Sequence, residues 1–541
     1  MVEQGKNLWR WINSGYFLAV STVFLLGANF YRYSTKTILN TTHDDFAVDM
    51  LRARYEAYNG LDLMGHYSRT LGGTHPGPIY DWLLVLSNYT SKYWGMQPNI
   101  AAFYILTIFN LLILLIITRI IWVYYSVTTA KIFLLLVALW QSINITGDTN
   151  FGNSGELNFL NGGKLGSPLW PPYVNPYLFL LSLVSIHAYF KKGPKALKYL
   201  LPSLILTSWI YLPYLYLILP TYLAVVCYSF LRGELRIKNQ GFIISVILLL
   251  PLIYRLFRDG INYLKPNQLT LNQAERYFGD SSGWHPSNGT FVLEKLYGFP
   301  IYIIILITTL TLYTNCRVNK VKKSKAINVR LNEFWLVLII TSLGIVQIYL
   351  IYPSQIGIYQ FNWVVFYSVF ILAITISAKM EKLREAKLVS TIIILSLLVG
   401  SLITGSLLKL EPGRALISNS KTLAFEDNFV NMLKEKGEKT ISLTINSKEE
   451  YNLSSSLYWE VAPLLWEIES RGIDVCLTQV RKDLEMYICQ NERENQYIIE
   501  REEGDLPKNE FGYESDLDRA FHPNTYLTIR KNYILKDSKL K

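Results

Sequence analysis

The sequence predicts an all-α polytopic membrane protein, about eleven transmembrane helices long, that carries a small C-terminal α/β domain outside the membrane. Three observations lead there. Of 541 residues, 51% are hydrophobic and 17% charged, with a mean hydropathy of +0.21; a soluble domain carries nearer a quarter charged residues. The apolar residues gather into runs that approach the roughly 20 residues a helix needs to cross a bilayer core about 30 Å thick. The charge is also unevenly divided, with 34 Lys+Arg against 18 Asp+Glu in residues 1–411 and 18 against 23 in residues 412–541. The chain therefore reads as a membrane domain over 1–411, whose first outer loop is 34–99, followed by an extracytoplasmic domain over 412–541.

The expected spans fall near 15–33, 100–125, 128–146, 173–190, 199–212, 213–231, 240–257, 297–315, 333–352, 362–378 and 388–408. The stretch 199–231 is too long for one span and short for two. Pro213 supplies a break, and both flanks, KKGPKALK and RGELRIK, are basic. Basic flanks mark cytoplasmic loops, so the chain is expected to cross out and back. The same rule gathers Lys6 and Arg10, Lys131, the Lys191–Lys198 cluster, Arg232 through Lys238, Arg317 through Arg330, and Lys379 through Lys387 on one side. That side is assigned to the cytoplasm, with the N-terminus, in what is expected to be the plasma membrane. Segments 34–99, 147–172, 258–296 and 409–541 then lie outside. The first apolar run has no clear A-x-A cleavage site and is read as a retained span rather than a secretory signal.

Composition also excludes several function classes. Four cysteines in no CxxC pattern, and six histidines without HExxH, speak against a disulfide-dense scaffold and against these zinc motifs. The pI near 9.1 comes from short basic clusters between apolar runs, not from one polar basic face, so nucleic acid is not expected as a partner.

From residue 412 the pattern changes to short β-rich runs around one amphipathic helix. KTISLTI, SSSLYWEVAPLLWEIESRG, IDVCLTQV, EMYICQ, QYIIER and TYLTIRK read as β–α–β followed by further strands, with Gly472 stopping the helix. Cys476 and Cys489 fall on neighbouring expected strands. They can pair in an oxidising compartment, but the plainer reading is two buried strand thiols. Acceptor capture and a stabilising cap are both open as roles for this part.

The first outer loop carries the densest chemistry. Asp44, Asp45 and Asp49 follow the first span directly, and a carboxylate held close to a bilayer is costly enough to need a reason. If 45–57 is helical, Asp45 and Asp49 form an i,i+4 pair, with Arg52 beside them. Further on, His75-Pro76-Gly77-Pro78 is a rigid turn, because each proline fixes its own φ and pushes the preceding residue out of the helical region. Residues 79–95, IYDWLLVLSNYTSKYWG, read as a helix lying in the interface, where Trp and Tyr prefer to sit.

This arrangement resembles the GT-C superfamily of integral-membrane glycosyltransferases, which use polyprenyl-phosphate-linked sugars. Asp44-Asp45 looks like the superfamily's acidic motif after the first span. His75-Pro76-Gly77-Pro78-Ile79-Tyr80-Asp81-Trp82 looks like its later His-Pro element before the second span. More narrowly, GHYSRTLGGTHPGP at 65–78 resembles a bacterial group of GT-C-like multipass proteins with a Y-S-R…H-P-G-P element, and the run WEVAPLLWEIESRGIDVCL is similar to theirs. The chain departs from the superfamily in lacking a clean D-E or N-D signature and any W-W-D-x-G motif, which argues against protein N-glycosylation.

The resemblance implies transfer of a sugar, with inversion, from a polyprenyl-phosphate donor to an extracytoplasmic glycan, lipid or protein. Such chemistry needs a base for the acceptor hydroxyl and cationic groups for the departing phosphate. The D-x-A-x-D spacing favours Asp45 as base, with Asp44 and Asp49 as the other acidic candidates. His75 and Arg69 are candidate donor-phosphate groups, a guanidinium being suited to bidentate phosphate binding; Arg255 and Arg258 are further candidates, Arg276 another, although snorkelling also accounts for Arg255. Tyr67, Tyr80, Trp82 and Glu156 are candidate substrate-binding residues. Glu156, in the Gly- and Asn-rich loop 151–172, is also a candidate to join Asp45 at a divalent cation such as Mg or Mn. Two rival readings place the chain elsewhere. An O-antigen-type polymerase or ligase would carry its Arg and His in a late loop, and a transporter or flippase would show repeats and mid-span charges.

Overall fold

A computed structural model describes residues 44–61, 67–68, 73–74, 77–94, 98–142, 171–210, 215–231, 233–236, 239–259, 362–380, 428–446, 464–465, 468–469, 471–478, 489, 496–503, 512–513 and 525–532. The chain divides into two compact units. One is formed by residues 1–33, 63–80 and 106–410, the other by 34–62, 81–105 and 411–541.

The first unit is a helical bundle. Its helices are α3 (Pro98–Tyr124, of which residues from 106 belong here), α4 (Val127–Ser142), α5 (Pro171–Lys192), α6 (Leu197–Ile210), α7 (Leu215–Leu231), α8 (Gln240–Asp259) and α9 (Asn362–Met380). They coincide with seven of the expected apolar runs. The runs at 15–33, 297–315, 333–352 and 388–408 lie outside the described residues. Among those described, Ala101–Tyr124 is long and apolar enough to cross a membrane, at about 36 Å for 24 residues. Ile108, Leu112, Ile116 and Val123 recur along it as an exposed apolar stripe. The stretch 197–231 forms two helices, α6 and α7, as the basic flanks and Pro213 led us to expect.

Hydroxyl and other polar side chains tie the helices together through hydrogen bonds. The Ser182 and Thr207 hydroxyls meet at 2.9 Å between α5 and α6, and Thr207 also donates to the Leu178 carbonyl. Tyr222 and Ser245 meet at 2.8 Å between α7 and α8, and Thr129 donates to Ser377 between α4 and α9. His187 of α5, fully buried, shares a 2.9 Å hydrogen bond with the Tyr367 hydroxyl of α9. Helix α6 is the hub, packing on α5, α7 and α8.

Ahead of these helices, the same unit holds a small antiparallel hairpin. β1 (Tyr67–Ser68) pairs with β2 (Gly73–Thr74), Tyr67 opposite Thr74 and Ser68 opposite Gly73.

The second unit combines α1 (Asp44–Asn59), most of α2 (Ile79–Trp94), the first residues of α3 and the C-terminal α/β part. Its sheet is built from β3 (Thr440–Asn446), β4 (Asp474–Leu477), β5 (Gln496–Glu503), β6 (Gly512–Tyr513) and β7 (Thr525–Asn532). The order is β4-β3-β5-β7-β6. β4 and β5 run parallel to β3, Ile441 facing Val475 and Leu443 facing Tyr497, while β7 runs antiparallel to β5. A helix over 428–435, here α10, buries Phe429, Val430 and Leu433; the Phe429 ring meets Tyr497 edge-on at 5.4 Å. Gly472 has φ +83° and closes a Schellman turn, its N–H on the Glu469 carbonyl and that of Ile473 on Ile468. The expected helix stop is therefore where the sequence placed it.

The reading of Cys476 and Cys489 as two strand thiols is overturned, because the two form a disulfide. Only Cys476 lies on a strand. Cys489 lies outside the strands, but its N–H donates to the Leu477 carbonyl at the end of β4, which brings the two side chains together.

Candidate functional site

The acidic segment folds as expected. α1 begins at Asp44, so Asp44 and Asp45 occupy its first turn, where the exposed N–H groups and the helix dipole favour negative charge. Asp45 and Asp49 stand one turn apart at i,i+4. Asp49 is buried, at 8% exposure, on the face that also buries Met50, Ala53 and Glu56. Residues 49, 53 and 56 follow helical spacing, so the interior face of α1 carries two carboxylates, at Asp49 and Glu56. Arg52 lies between them and places its Nε 3.0 Å from Glu56 Oε1. The helix ends at Gly60, where φ is +106° and the N–H still reaches the Glu56 carbonyl.

Two contacts hold α1 within its unit. The Tyr89 hydroxyl of α2 donates to the Ala57 carbonyl at 2.8 Å. Arg54 Nε lies 3.0 Å from Glu469 Oε2, both side chains being mostly buried. The acidic helix of the first loop is therefore fastened to the C-terminal α/β part by an ion pair, which spacing in the sequence did not indicate.

α2 contributes a carboxylate that the sequence reading quoted but gave no role. Asp81, in the first turn of α2, is completely buried, at 0% exposure. Its position just after the Pro-Gly-Pro turn, flanked by the aromatic and aliphatic residues Ile79, Tyr80 and Trp82 to Leu86, was the available signal. Tyr80 is also fully buried and Trp82 half-buried, while Tyr93 and Trp94 at the far end of α2 are exposed. The expected interfacial helix thus exists as a helix with an aromatic exposed end.

In the helical unit, the 65–78 element is partly visible. The β1–β2 hairpin sets Tyr67 opposite Thr74, so the two ends of this element face each other. Arg69 directly follows β1 and His75 directly follows β2; both lie outside the described residues, as do Glu156 and Arg276. Gly77 is buried against α6. A Cβ there would fall inside the Trp209 indole, against its Cγ, Cδ1 and Cδ2 atoms. The Trp209 ring is held in turn by its own Nε1, which donates to the Leu248 carbonyl of α8 at 2.9 Å. Only glycine allows this approach, which accounts for the middle residue of the Pro-Gly-Pro turn.

Arg255 and Arg258 occupy positions i and i+3 of the last turns of α8. Asn362 and Trp363 open α9. Among the described residues, no three His, Cys, Asp or Glu side chains stand close enough to hold a metal ion. Glu156 and the side chains of Asp44 and Asp45, on which a divalent site was expected to draw, fall outside that set.

No protein-family model and no curated protein matches the sequence. Comparison with solved structures finds a similarity that runs nearly end to end. The crystal structure of ArnT from Cupriavidus metallidurans in the apo state superposes with a TM-score of 0.51 over 95% of this chain and 97% of that one, at 9% identity. At that identity the likeness is one of fold: this chain has an ArnT-like architecture throughout, its C-terminal part included.

Proposed function

We propose that the chain is a membrane glycosyltransferase of the GT-C type, which moves a sugar from a polyprenyl-phosphate donor to an acceptor on the extracytoplasmic side. The observation that carries this reading is the end-to-end fold shared with ArnT, a GT-C family glycosyltransferase. A helix bearing Asp44, Asp45 and Asp49 lies where the resemblance in sequence put an acidic motif.

The chemistry assigns roles to these residues. Asp45 takes the proton from the acceptor hydroxyl as its oxygen attacks the anomeric carbon. The bond from that carbon to the polyprenyl phosphate breaks, and the phosphate leaves with the electron pair. An aspartate in the first turn of a helix stays ionised, the state a base requires. Arg69 and His75 are assigned to the developing charge on the phosphate, which a guanidinium matches bidentately. Asp49 supports the base from one turn below.

The test compares wild type and Asp45→Asn in a detergent-solubilised preparation, by mass spectrometry of co-purifying lipids together with sugar transfer to envelope acceptors. The variant is nearly isosteric and is expected to express and insert normally, to lose transfer, and to retain a polyprenyl-phosphate sugar whose mass names the donor. Full transfer by Asp45→Asn would remove Asp45 as base. Bulk phospholipid alone on both proteins, with no transfer by either, would turn attention to transport.

A further inference from the structure

Within the helical bundle, the close of α3, the turn between α5 and α6, and the start of α8 surround a cavity of about 570 Å³. Its wall is basic. Lys192, Lys195 and Lys198 all line it, and they are spaced three residues apart across a 3₁₀ turn at Gly193–Ala196. Lys192 ends α5, Lys195 lies within the turn and Lys198 stands in the first turn of α6, so the turn brings one lysine from each element to the same cavity. Gly193, with φ +75°, and Pro194 set that turn. All three lysines are exposed.

Among the described residues, no Asp or Glu lines the cavity. The nearest acid in sequence to its far wall, Glu234, accepts a 2.6 Å hydrogen bond from the Tyr189 hydroxyl. Lys191, which does not line the cavity, lies over the Tyr125 ring at 3.8 Å. Lys198 also lies over an aromatic ring, that of Tyr199 at 4.9 Å, yet it lines the cavity with Lys192 and Lys195, and three like charges around one space repel unless an anion joins them.

The lining also includes two neutral amide side chains. Asn239 accepts the Gly241 N–H at 2.9 Å and so caps α8, and Gln240 follows it at the helix start. Gly241 makes the corner tight, because a Cβ there would meet the Lys198 Cα and the Leu197 carbonyl. Val123 at the rim is 52% exposed, and Ile243, Ile244 and Ile247 continue an exposed apolar surface down α8. A ligand with an anionic head and apolar tails matches both parts.

We propose that this cavity binds the phosphate of an anionic phospholipid headgroup, with the acyl chains lying along α3 and α8. The lysines belong to the loops that the charge asymmetry assigns to the cytoplasm, the leaflet whose anionic lipids attract such clusters. The inference rests on the membrane placement of these helices and is independent of the glycosyltransferase reading.

The experiment uses the full-length protein in mild detergent with equimolar phosphatidylglycerol and phosphatidylcholine of the same acyl chains, scored by native mass spectrometry. Wild type is expected to retain phosphatidylglycerol in preference by about tenfold or more. The triple variant Lys192→Ala, Lys195→Ala, Lys198→Ala is expected to bring the ratio close to one, and Lys434→Ala with Lys436→Ala, in the other unit, to leave it unchanged. If the triple variant does not fold, Lys192→Ala and Lys195→Ala singly should each lower the ratio severalfold. Equal retention of the two lipids by wild type, or an unchanged ratio in the lysine variants, overturns the proposal. Displacement of phosphatidylglycerol by millimolar inorganic phosphate would make a soluble phosphate the occupant and overturn the lipid assignment.

Discussion

Replacing Gly77 with alanine tests whether the Pro-Gly-Pro turn is seated on α6. The added methyl would occupy space now held by the Trp209 ring. Trp209 is 5% exposed, so its ring has no solvent to move into, and swinging it aside breaks the 2.9 Å bond from its Nε1 to Leu248. Overpacking of this kind costs about 1–3 kcal/mol, and the lost hydrogen bond adds about 1 kcal/mol. Gly77→Ala should therefore destabilise the helical unit by roughly 2–4 kcal/mol. Thermal unfolding of the purified protein should show it as a drop of on the order of 5 °C or more. The decisive comparison is in a Trp209→Ala background, where the ring is gone and the methyl has room. There the same glycine substitution should cost less than about 1 kcal/mol, although Trp209→Ala is itself destabilising by about 3–5 kcal/mol. Costs that add to within about 0.5 kcal/mol would mean that the two residues do not meet and would refute the reasoning.

Three further outcomes follow from other contacts. Glu469→Gln should lower the melting temperature by removing the partner of a mostly buried Arg54, at about 1.5–3 kcal/mol, and the exchanged pair Arg54→Glu with Glu469→Arg should recover more than either change alone. Cys476→Ser with Cys489→Ser opens a link across 13 residues and should cost about 2–3 kcal/mol, read as the difference between wild type and variant melting that vanishes when wild type is fully reduced. Cysteines introduced at positions 60, 160, 280 and 450 should react with an impermeant thiol reagent on intact cells, and those at 195 and 322 only after permeabilisation; the reverse pattern would sink the assigned orientation.

Local features of this chain were legible in the sequence, and distant ones were not. The apolar runs from α3 to α9 announced themselves by length, and α1 by its acidic start and the i,i+4 spacing of Asp45 and Asp49. Gly472 was read correctly because a helix stop is a property of its own few residues. The β1–β2 hairpin was missed, since strands of two residues with RTLG between them leave no alternation to detect. The disulfide was left as the lesser reading because the strand pattern placed Cys489 on a strand of its own, and its approach to β4 depends on a loop. Arg54 and Glu469 are more than 400 residues apart, and no local pattern announces a pair at that distance. The burial of Asp81 is equally a product of what packs around it.

The unit that carries the acidic helix is assembled from 34–62, 81–105 and 411–541, with nearly all of the helical bundle lying between its second and third pieces in the chain. That order imposes a schedule on biosynthesis. At 5–20 residues per second, α1 and α2 leave the ribosome on the order of tens of seconds before the sheet that completes their unit. During that interval the faces bearing Asp49, Glu56 and Asp81 have no finished interior to enter, and Arg54 has no Glu469 to meet. A chain arrested close to residue 412 would carry α1 with every candidate catalytic aspartate, held by Tyr89 of α2 but without the Glu469 that pairs with Arg54. The last 130 residues therefore finish a unit that the first loop begins, and Arg54 of α1 meets its counter-charge only once they have been made.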